Sequence, residues 1–123
     1  MIPATEARVQ KALTDAFIAA DSVQITLIPA EFVSNGSGGR KRNDLLPRLP
    51  QSMRIIPQDA NAAERETLDG SVVQPNYMLL GVWNAAMTRG DRFTNGGTRY
   101  EVVYVHEKRD YQTKGEVITR GEA

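Results

Sequence analysis

The apolar positions of the first twenty residues recur at helical spacing. Five of them lie three or four positions apart, namely Val9, Leu13, Ala16, Phe17 and Ala20. This spacing predicts one amphipathic helix over residues 5–20, and Thr5 is a suitable N-cap for it. The apolar stripe has two interpretations. It packs on the rest of this chain, or it is a docking face for another subunit.

After residue 22 the pattern changes from helical spacing to alternation. Val23, Ile25 and Leu27 alternate with Gln24 and Thr26, which predicts a strand over 23–33. Proline cannot donate a hydrogen bond to a neighbouring strand, so Pro29 marks an edge, a bulge or a bend in that strand. Similar patterns predict further strands over residues 52–57, 72–84, 91–94, 98–106 and 115–119.

Three features interrupt this series of predicted strands. Pro75 indicates that 72–84 is two pieces or an edge strand. Residues 58–71 are polar and are interpreted either as a connecting loop or as a frayed helical turn. The dipeptide Asn95-Gly96 joins two predicted strands and tolerates positive φ, so we expect it to form the tight turn of a β-hairpin.

About six short strands and one leading helix indicate the fold class. The prediction is a mainly β protein, a small antiparallel β-barrel over residues 23–120 with an N-terminal helix and a long loop. A chain of 123 residues is long enough for one domain with its own core, and we therefore expect a single domain over residues 1–123.

The predicted loop covers residues 34–50, where no periodicity persists. It begins with a glycine-rich segment containing Gly36, Gly38 and Gly39, continues through Arg40, Lys41 and Arg42, and ends in prolines. Long loops in compact domains are usually functional or disordered. Three adjacent cations are either a solvated loop tip or a mobile basic finger close to a polyanion backbone, which they would contact without reading sequence.

Charge and composition exclude several classes of function. The chain has fifteen acidic and fifteen basic residues, so no overall field attracts nucleic acid or membrane. It has no cysteine, which excludes disulfides, thiolate metal sites and a cysteine nucleophile. No apolar run is long enough to span a bilayer and no signal peptide is recognisable. The expectation is a soluble protein made in the cytoplasm.

The sequence offers little for catalysis. His106 is the single histidine, and we interpret it as a solvated residue at a strand end, because catalytic and metal sites need several converging partners. The glycines of the loop lack the Gly-Lys-Ser/Thr ending of a phosphate-binding loop. We therefore predict no catalytic residue, no cofactor and no metal, and a protein that is not an enzyme.

Several structural motifs, in this order and spacing, resemble those of one family. They are Val23–Pro29, Leu49–Pro57, Leu79–Ala85, Gly90–Phe93 and Tyr100–Val105. The chain from about residue 20 to 120 resembles the head-to-tail stopper, or head-closure, proteins of tailed bacteriophages. That family often has a tyrosine or tryptophan after the Gly-Gly of its long loop, whereas Arg40 follows Gly39 here.

The resemblance implies a structural virion protein of the phage neck, assembled in the host cytoplasm. It implies a homo-oligomeric ring, a dodecamer or a hexamer, with the portal and adaptor above and the tail terminator or tail below. The glycine-rich basic loop would point into the channel and help to retain packaged DNA. Balanced charge suggests that isolated subunits are monomeric or weakly associated and form rings on the portal–adaptor template.

Two other functions remain open from sequence. One is a different connector ring, such as a tail terminator. The other is a stand-alone barrel of the OB or SH3 type that binds nucleic acid, although its cations should then form a basic face.

Overall fold

The computed structural model describes residues 4–20, 22–34, 36, 40–58, 62–107 and 109–122. These residues form one helix and ten strands. In chain order they are α1 Ala4–Ala20, β1 Val23–Ile25, β2 Ala30–Ser34, β3 Arg40–Asp44, β4 Gln51–Pro57, β5 Arg65–Glu66, β6 Val72–Val73, β7 Tyr77–Gly81, β8 Arg92–Asn95, β9 Thr98–Val105 and β10 Thr113–Glu122.

Six of the strands form one antiparallel sheet that is nearly closed into a barrel. Their order is β1-β4-β7-β10-β9-β8. The two edges meet just after β1, where Ile28 and Arg92 exchange backbone hydrogen bonds of 2.8 and 3.0 Å. We name this join the seam. The predicted fold class, a mainly β protein with one N-terminal helix and a small antiparallel barrel, is confirmed.

The barrel interior is filled by the apolar residues that alternate along these strands. Its fully buried members include Ile25, Leu27, Met53, Leu79, Val102 and Val117. Each large aliphatic side chain buried in this way contributes about 1.5–3 kcal/mol relative to exposure. Phe93 stacks on Tyr100 with ring centroids 4.8 Å apart and closes one side of this core.

A β-bulge in β9 directs one tyrosine outward. Val102 pairs with Val117, whereas Tyr104 pairs with Glu116, so Val103 is an extra residue. Paired residues share a face of the sheet and sequence neighbours do not, so Tyr104 lies on the opposite face from Val102. The bulge therefore places an aromatic ring on the outer face of the barrel.

The outer face of β9 and β10 is covered by a small hairpin. Strands β5 and β6 pair through Arg65↔Val73 and Glu66↔Val72, and Thr67 in their turn is only 2 % exposed. The prediction for 58–71, a connecting loop or a frayed helical turn, missed this hairpin. Its strands are two residues long, too short for any periodicity to show.

Two other strand predictions can be compared with the structure. Segment 72–84 is divided at Pro75 into β6 and β7, one of the alternatives that the proline indicated. Strand β10 runs from Thr113 to Glu122 and is longer than the predicted 115–119. Its pairing with β7 on one side and β9 on the other extends it beyond its apolar centre.

The predicted hairpin between β8 and β9 is present, but its turn is displaced by one residue. Asn95 pairs with Thr98 as the last residue of β8, and Gly96 and Gly97 have φ of 59° and 80°. A two-residue turn of this kind needs positive φ at both positions, and two glycines satisfy this with less strain than Asn-Gly. The assignment of the turn to Asn95 and Gly96 was therefore wrong for Asn95.

Helix α1 lies against β4 and turns its apolar stripe away from the barrel. Ile18, on the opposite side of the helix, is 2 % exposed, whereas Val9, Leu13 and Phe17 are 54, 65 and 44 % exposed. Arg54 of β4 donates to the Phe17 carbonyl at 3.0 Å. The first interpretation of the stripe, packing on the rest of this chain, is therefore wrong for Val9 and Leu13, and the docking face for another subunit stays a prediction. No helix in the described residues combines the length and apolarity required to cross a membrane.

Candidate functional site

A second two-stranded sheet stands beside the barrel where the long loop was predicted. Strands β2 and β3 pair antiparallel from Ala30↔Asp44 to Ser34↔Arg40. The assignment of 34–50 to a single loop was therefore wrong for 40–44, since backbone pairing with β2 orders a segment that has no apolar alternation. We name β2, β3 and their connection the arm.

The connection at the end of the arm contains the predicted glycines. Gly36 has φ of 83°, a conformation that favours glycine. Gly38 and Gly39 lie outside the described residues.

The three adjacent cations of the arm are not equivalent. Successive residues of a strand point to opposite faces, so Lys41 and Arg42 diverge. Lys41 is exposed, whereas the Arg42 side chain is only 11 % exposed. Its guanidinium donates to the carbonyls of Gly90 and Ile28 at 2.7 and 3.2 Å and to Asp44 at 2.6 Å. Arg42 thus fastens the arm to the seam, and Arg40 begins the same strand.

A second arginine holds the segment that follows the arm. Arg48 donates to the two carboxylate oxygens of Asp91 at 3.1 and 3.5 Å, and to the Thr88 hydroxyl at 3.0 Å. Asp91 is fully buried and also accepts from the Thr88 amide at 3.0 Å and the Thr88 hydroxyl at 2.8 Å. A buried carboxylate with this many donors holds a fixed geometry.

Asp91 belongs to a turn in which three consecutive residues each make a different contact. The Gly90 carbonyl accepts a hydrogen bond from Arg42, and the Asp91 carboxylate accepts one from Arg48. The backbone of Arg92 closes the seam. Gly90 has φ of 97°, and a Cβ there would collide with the side chain of Leu68. Only glycine therefore fits at the centre of this anchor, which we name the seam turn, Thr88–Arg92.

The segment between arm and β4 displays apolar side chains to solvent. Leu45, Leu46 and Leu49 are 43, 87 and 84 % exposed. Backbone bonds from Leu45 to the Pro29 carbonyl and from Arg48 to the Leu27 carbonyl, both 2.8 Å, hold the segment on the barrel. We name these three residues the leucine ridge. Beside it is a groove of about 360 Å³, lined by Arg48, Leu49, Gln51, Asn84 and Ala86.

The outer face of the barrel carries a buried carboxylate, Glu116. Arg65 donates to both of its oxygens at 3.1 and 2.9 Å and lies over the Tyr104 ring at 3.7 Å. Burial alone raises the pKa of Glu116, but the hydrogen bonds and charge of Arg65, aided by His106, outweigh burial and hold this pKa below its ordinary value. The pair ties the β5–β6 hairpin to the barrel.

The His106 side chain is less exposed than the sequence indicated. Its Nε2 is 2.6 Å from Glu116 Oε2, and the side chain is 35 % exposed, so it is half-buried against a carboxylate and not a solvated strand end. A polar cleft of about 220 Å³ lies beside it. Within the described residues, no group of three or more histidine, cysteine and acidic side chains is placed to hold a metal ion.

The hydrogen bonds of Arg42 and Arg48 to the seam turn hold both the arm and the leucine ridge on the barrel. Sequence reasoning identified Lys41 and Arg42 but missed Arg48 and Asp91. The signal available was Arg48 between two Leu-Pro pairs, where an isolated charge needs a partner, and the Gly90-Asp91 pair, which was interpreted only as a turn.

No protein-family model matches this chain, and no curated protein is significantly similar to it.

Proposed function

We propose that this protein is a structural connector of a phage virion, a head-to-tail stopper that forms a ring between the portal–adaptor and the tail. The observation that carries the proposal is the arm, a hairpin held out from a rigid barrel by Arg42 and Arg48. A ring of such subunits presents one arm per copy toward a common axis. The arms then narrow the channel and help to retain DNA.

The mechanism requires that force on the arm passes into the barrel. DNA under pressure would push on the glycine-containing end, and the strands β2 and β3 transmit that push to the seam turn. Arg42 and Arg48 attach the arm at two points on consecutive residues, Gly90 and Asp91. Each subunit contributes a modest resistance, and a closed ring adds these contributions together.

The proposed role is non-enzymatic, and it matches the exposed features of the subunit. The leucine ridge and the stripe of α1 are surfaces for protein contacts. The exposed Lys41 offers a cation to a phosphate backbone with no means of reading sequence. The partners in this proposal are further copies, the portal–adaptor ring, the tail or tail terminator, and packaged DNA.

Deletion of the gene from the phage that encodes it tests this proposal. Without the protein, we expect heads that package DNA and tails that are complete but remain unattached. Wild-type protein supplied in trans should restore joined particles. Antibody labelling of intact virions should place the protein at the neck. Normal particles from the deletion would reject the proposal, and tails of uncontrolled length would indicate a tail terminator instead.

A further inference from the structure

The polar cleft beside His106 lies at the connection between β9 and β10. The His106 amide donates to the Lys114 carbonyl at 2.9 Å, and residues that oppose each other in this way share a face of the sheet. The cleft has a volume of about 220 Å³ and is lined by His106, Glu107, Arg109, Tyr111, Gln112 and Lys114. This volume is below the roughly 300 Å³ at which pockets for drug-sized ligands begin, so the cleft fits a small ligand.

The wall that His106 contributes to the cleft has a fixed orientation. Its Nε2 is 2.6 Å from Glu116 Oε2, and its ring meets the Tyr104 ring edge-on with centroids 5.0 Å apart. Arg65 donates to both oxygens of the same carboxylate. The charge of Glu116 is therefore compensated by Arg65, although Glu116 lies two residues along β10 from Lys114.

Lys114 is a half-buried cation that pairs with no other described residue. The side chains of Arg109, Tyr111 and Gln112 likewise make no hydrogen bond or ion pair within the part of the chain that the structure describes. Several other half-buried cations pair with carboxylates, namely Arg42, Arg48, Arg65, Arg92 and Arg120. A cation that is partly withdrawn from water is stabilised by an anion, so the donors of the cleft favour an anionic ligand.

We propose that this cleft binds a small phosphate dianion, either inorganic phosphate or the terminal phosphate of a monoester. Lys114 and Arg109 supply two positive charges, and the Tyr111 hydroxyl and the Gln112 amide supply neutral donors. A phosphate of this kind carries a charge of about −1.5 to −2 at pH 7, which matches two cations. The site is independent of the proposed connector function.

Glu107 limits the affinity of the site and sharpens its choice of anion. Its carboxylate lines the same cleft and repels any anion that enters. We therefore expect a dissociation constant in the millimolar range. A phosphodiester of DNA carries a single charge and two ester groups, so it should bind this cleft less well than a phosphate dianion does.

Titration with inorganic phosphate at constant ionic strength, followed by the amide signals in two-dimensional NMR spectra, tests the site. We expect saturable shifts at His106, Gln112 and Lys114. Sodium chloride at the same ionic strength should give no saturable shift at these residues. Equal shifts with chloride would overturn the site, because they would show charge screening only. The absence of saturable shifts at tens of millimolar phosphate would overturn it as well.

Variants of the charged residues have opposite expected effects on phosphate binding. Lys114→Gln should weaken binding about tenfold, since a hydrogen bond to a charged group ordinarily contributes at least this factor. Arg109→Gln should also weaken binding and is at an exposed position, so it tests the site even if Lys114→Gln does not fold. Glu107→Gln removes the opposing charge and should tighten binding several-fold.

The matched control for net charge is Arg89→Gln, which removes an exposed cation outside the cleft. It should bind phosphate as the natural protein does. Equal weakening by Arg89→Gln and Arg109→Gln would overturn the site, because the effect would then follow net charge alone. Weaker binding by Glu107→Gln would also overturn it.

Two further probes identify the source of the phosphate. Glycerol phosphate that gives the same shifts as inorganic phosphate would extend the ligand to monoesters, and shifts with inorganic phosphate alone would restrict it to the free ion. A short DNA duplex should leave these signals unchanged. Shifts with the duplex and none with inorganic phosphate would overturn the proposal. The connector function is tested on virions, so failure of either proposal leaves the other standing.

Discussion

Arg48 reaches from the exposed segment after the arm to the fully buried carboxylate of Asp91, 3.1 Å away. The pair joins residues that are 43 positions apart and lies beside the bond between Arg42 and Gly90. These two bonds attach the segment with the least apolar alternation to the barrel. The arm and the leucine ridge depend on this anchor for their position.

Loss of the Arg48 side chain should destabilise the protein measurably. Arg48→Ala leaves a buried carboxylate with Thr88 as its remaining side-chain donor, and we expect a loss of about 1–3 kcal/mol in the free energy of unfolding. Urea unfolding followed by tryptophan fluorescence measures it. Arg89→Ala removes an exposed arginine from the same turn and should change stability by no more than about 0.5 kcal/mol. Equal effects of the two changes would contradict the anchor.

The corrected hairpin turn gives a second prediction, on adjacent residues. Gly97→Val forces a β-branched residue to positive φ and should destabilise by about 1–3 kcal/mol. Asn95→Val is at the end of β8 with ordinary φ, so it should be nearly neutral. Thermal unfolding of the two variants compares them directly. A larger loss of stability for Asn95→Val than for Gly97→Val would indicate that Asn95 and Gly96 form the turn.

Acid should weaken the attachment of the β5–β6 hairpin through Glu116. The pKa of Glu116 in the folded protein is below its value near 4.5 in the unfolded chain. Between these two pKa values the unfolded state binds more protons than the folded state, so stability rises with pH there. The contribution of Glu116 is therefore complete above pH 4.5 and is lost as the pH falls through the lowered folded pKa. Urea midpoints measured between pH 6 and pH 3 should fall for the natural protein and less steeply for Glu116→Gln.

Asp69 provides the matched control for this pH dependence. The Thr67 hydroxyl and the Ser71 backbone amide lower the pKa of Asp69 to about 2, from 3.8. Its contribution is thus present above pH 3.8 and is lost toward pH 2. Asp69→Asn should lower the urea midpoint by a constant amount above pH 3.8 and change its slope against pH only in this lower range. A Glu116→Gln curve parallel to that of the natural protein down to pH 3 would show that Glu116 contributes nothing to the acid response.

The sequence was sufficient for features that depend on neighbours along the chain. Alternation in 23–28 and 98–105 located barrel strands, and helical spacing located α1. The sequence was insufficient where a segment is ordered by residues that are distant from it along the chain. Strand β3 is ordered by pairing with β2, and the direction of the α1 stripe depends on Arg54 and Trp83. The bulge at Val103 is likewise set by the register between β9 and β10.

The same distinction applies to the candidate site. A basic cluster is visible in the sequence, but its division into an exposed Lys41 and a fastened Arg42 depends on the strand that contains them. The Arg48–Asp91 pair could not be predicted, because no periodicity relates two residues on separate loops. Burial decides their roles, and burial follows from the closure of the barrel.

The last prediction separates Lys41 from Arg42 by their effects. Lys41→Gln removes an exposed charge and should leave the free energy of unfolding within about 0.5 kcal/mol of the natural protein. If the arms line the channel as proposed, virions with this variant should assemble normally but release DNA more readily, because each copy loses one phosphate contact. The difference from natural virions should be largest at low salt, where phosphate contacts are strongest.

Arg42→Gln, unlike Lys41→Gln, should reduce both protein stability and virion assembly. It removes the bonds to Gly90 and Ile28, so we expect the isolated protein to lose about 1–3 kcal/mol of stability and virions to assemble poorly. Arg109→Gln, an exposed cation away from the arm, controls for the change in net charge and should retain DNA normally. Unchanged DNA retention in Lys41→Gln particles, at every salt concentration, would remove DNA contact from the role of Lys41 and leave the arm with a purely structural role.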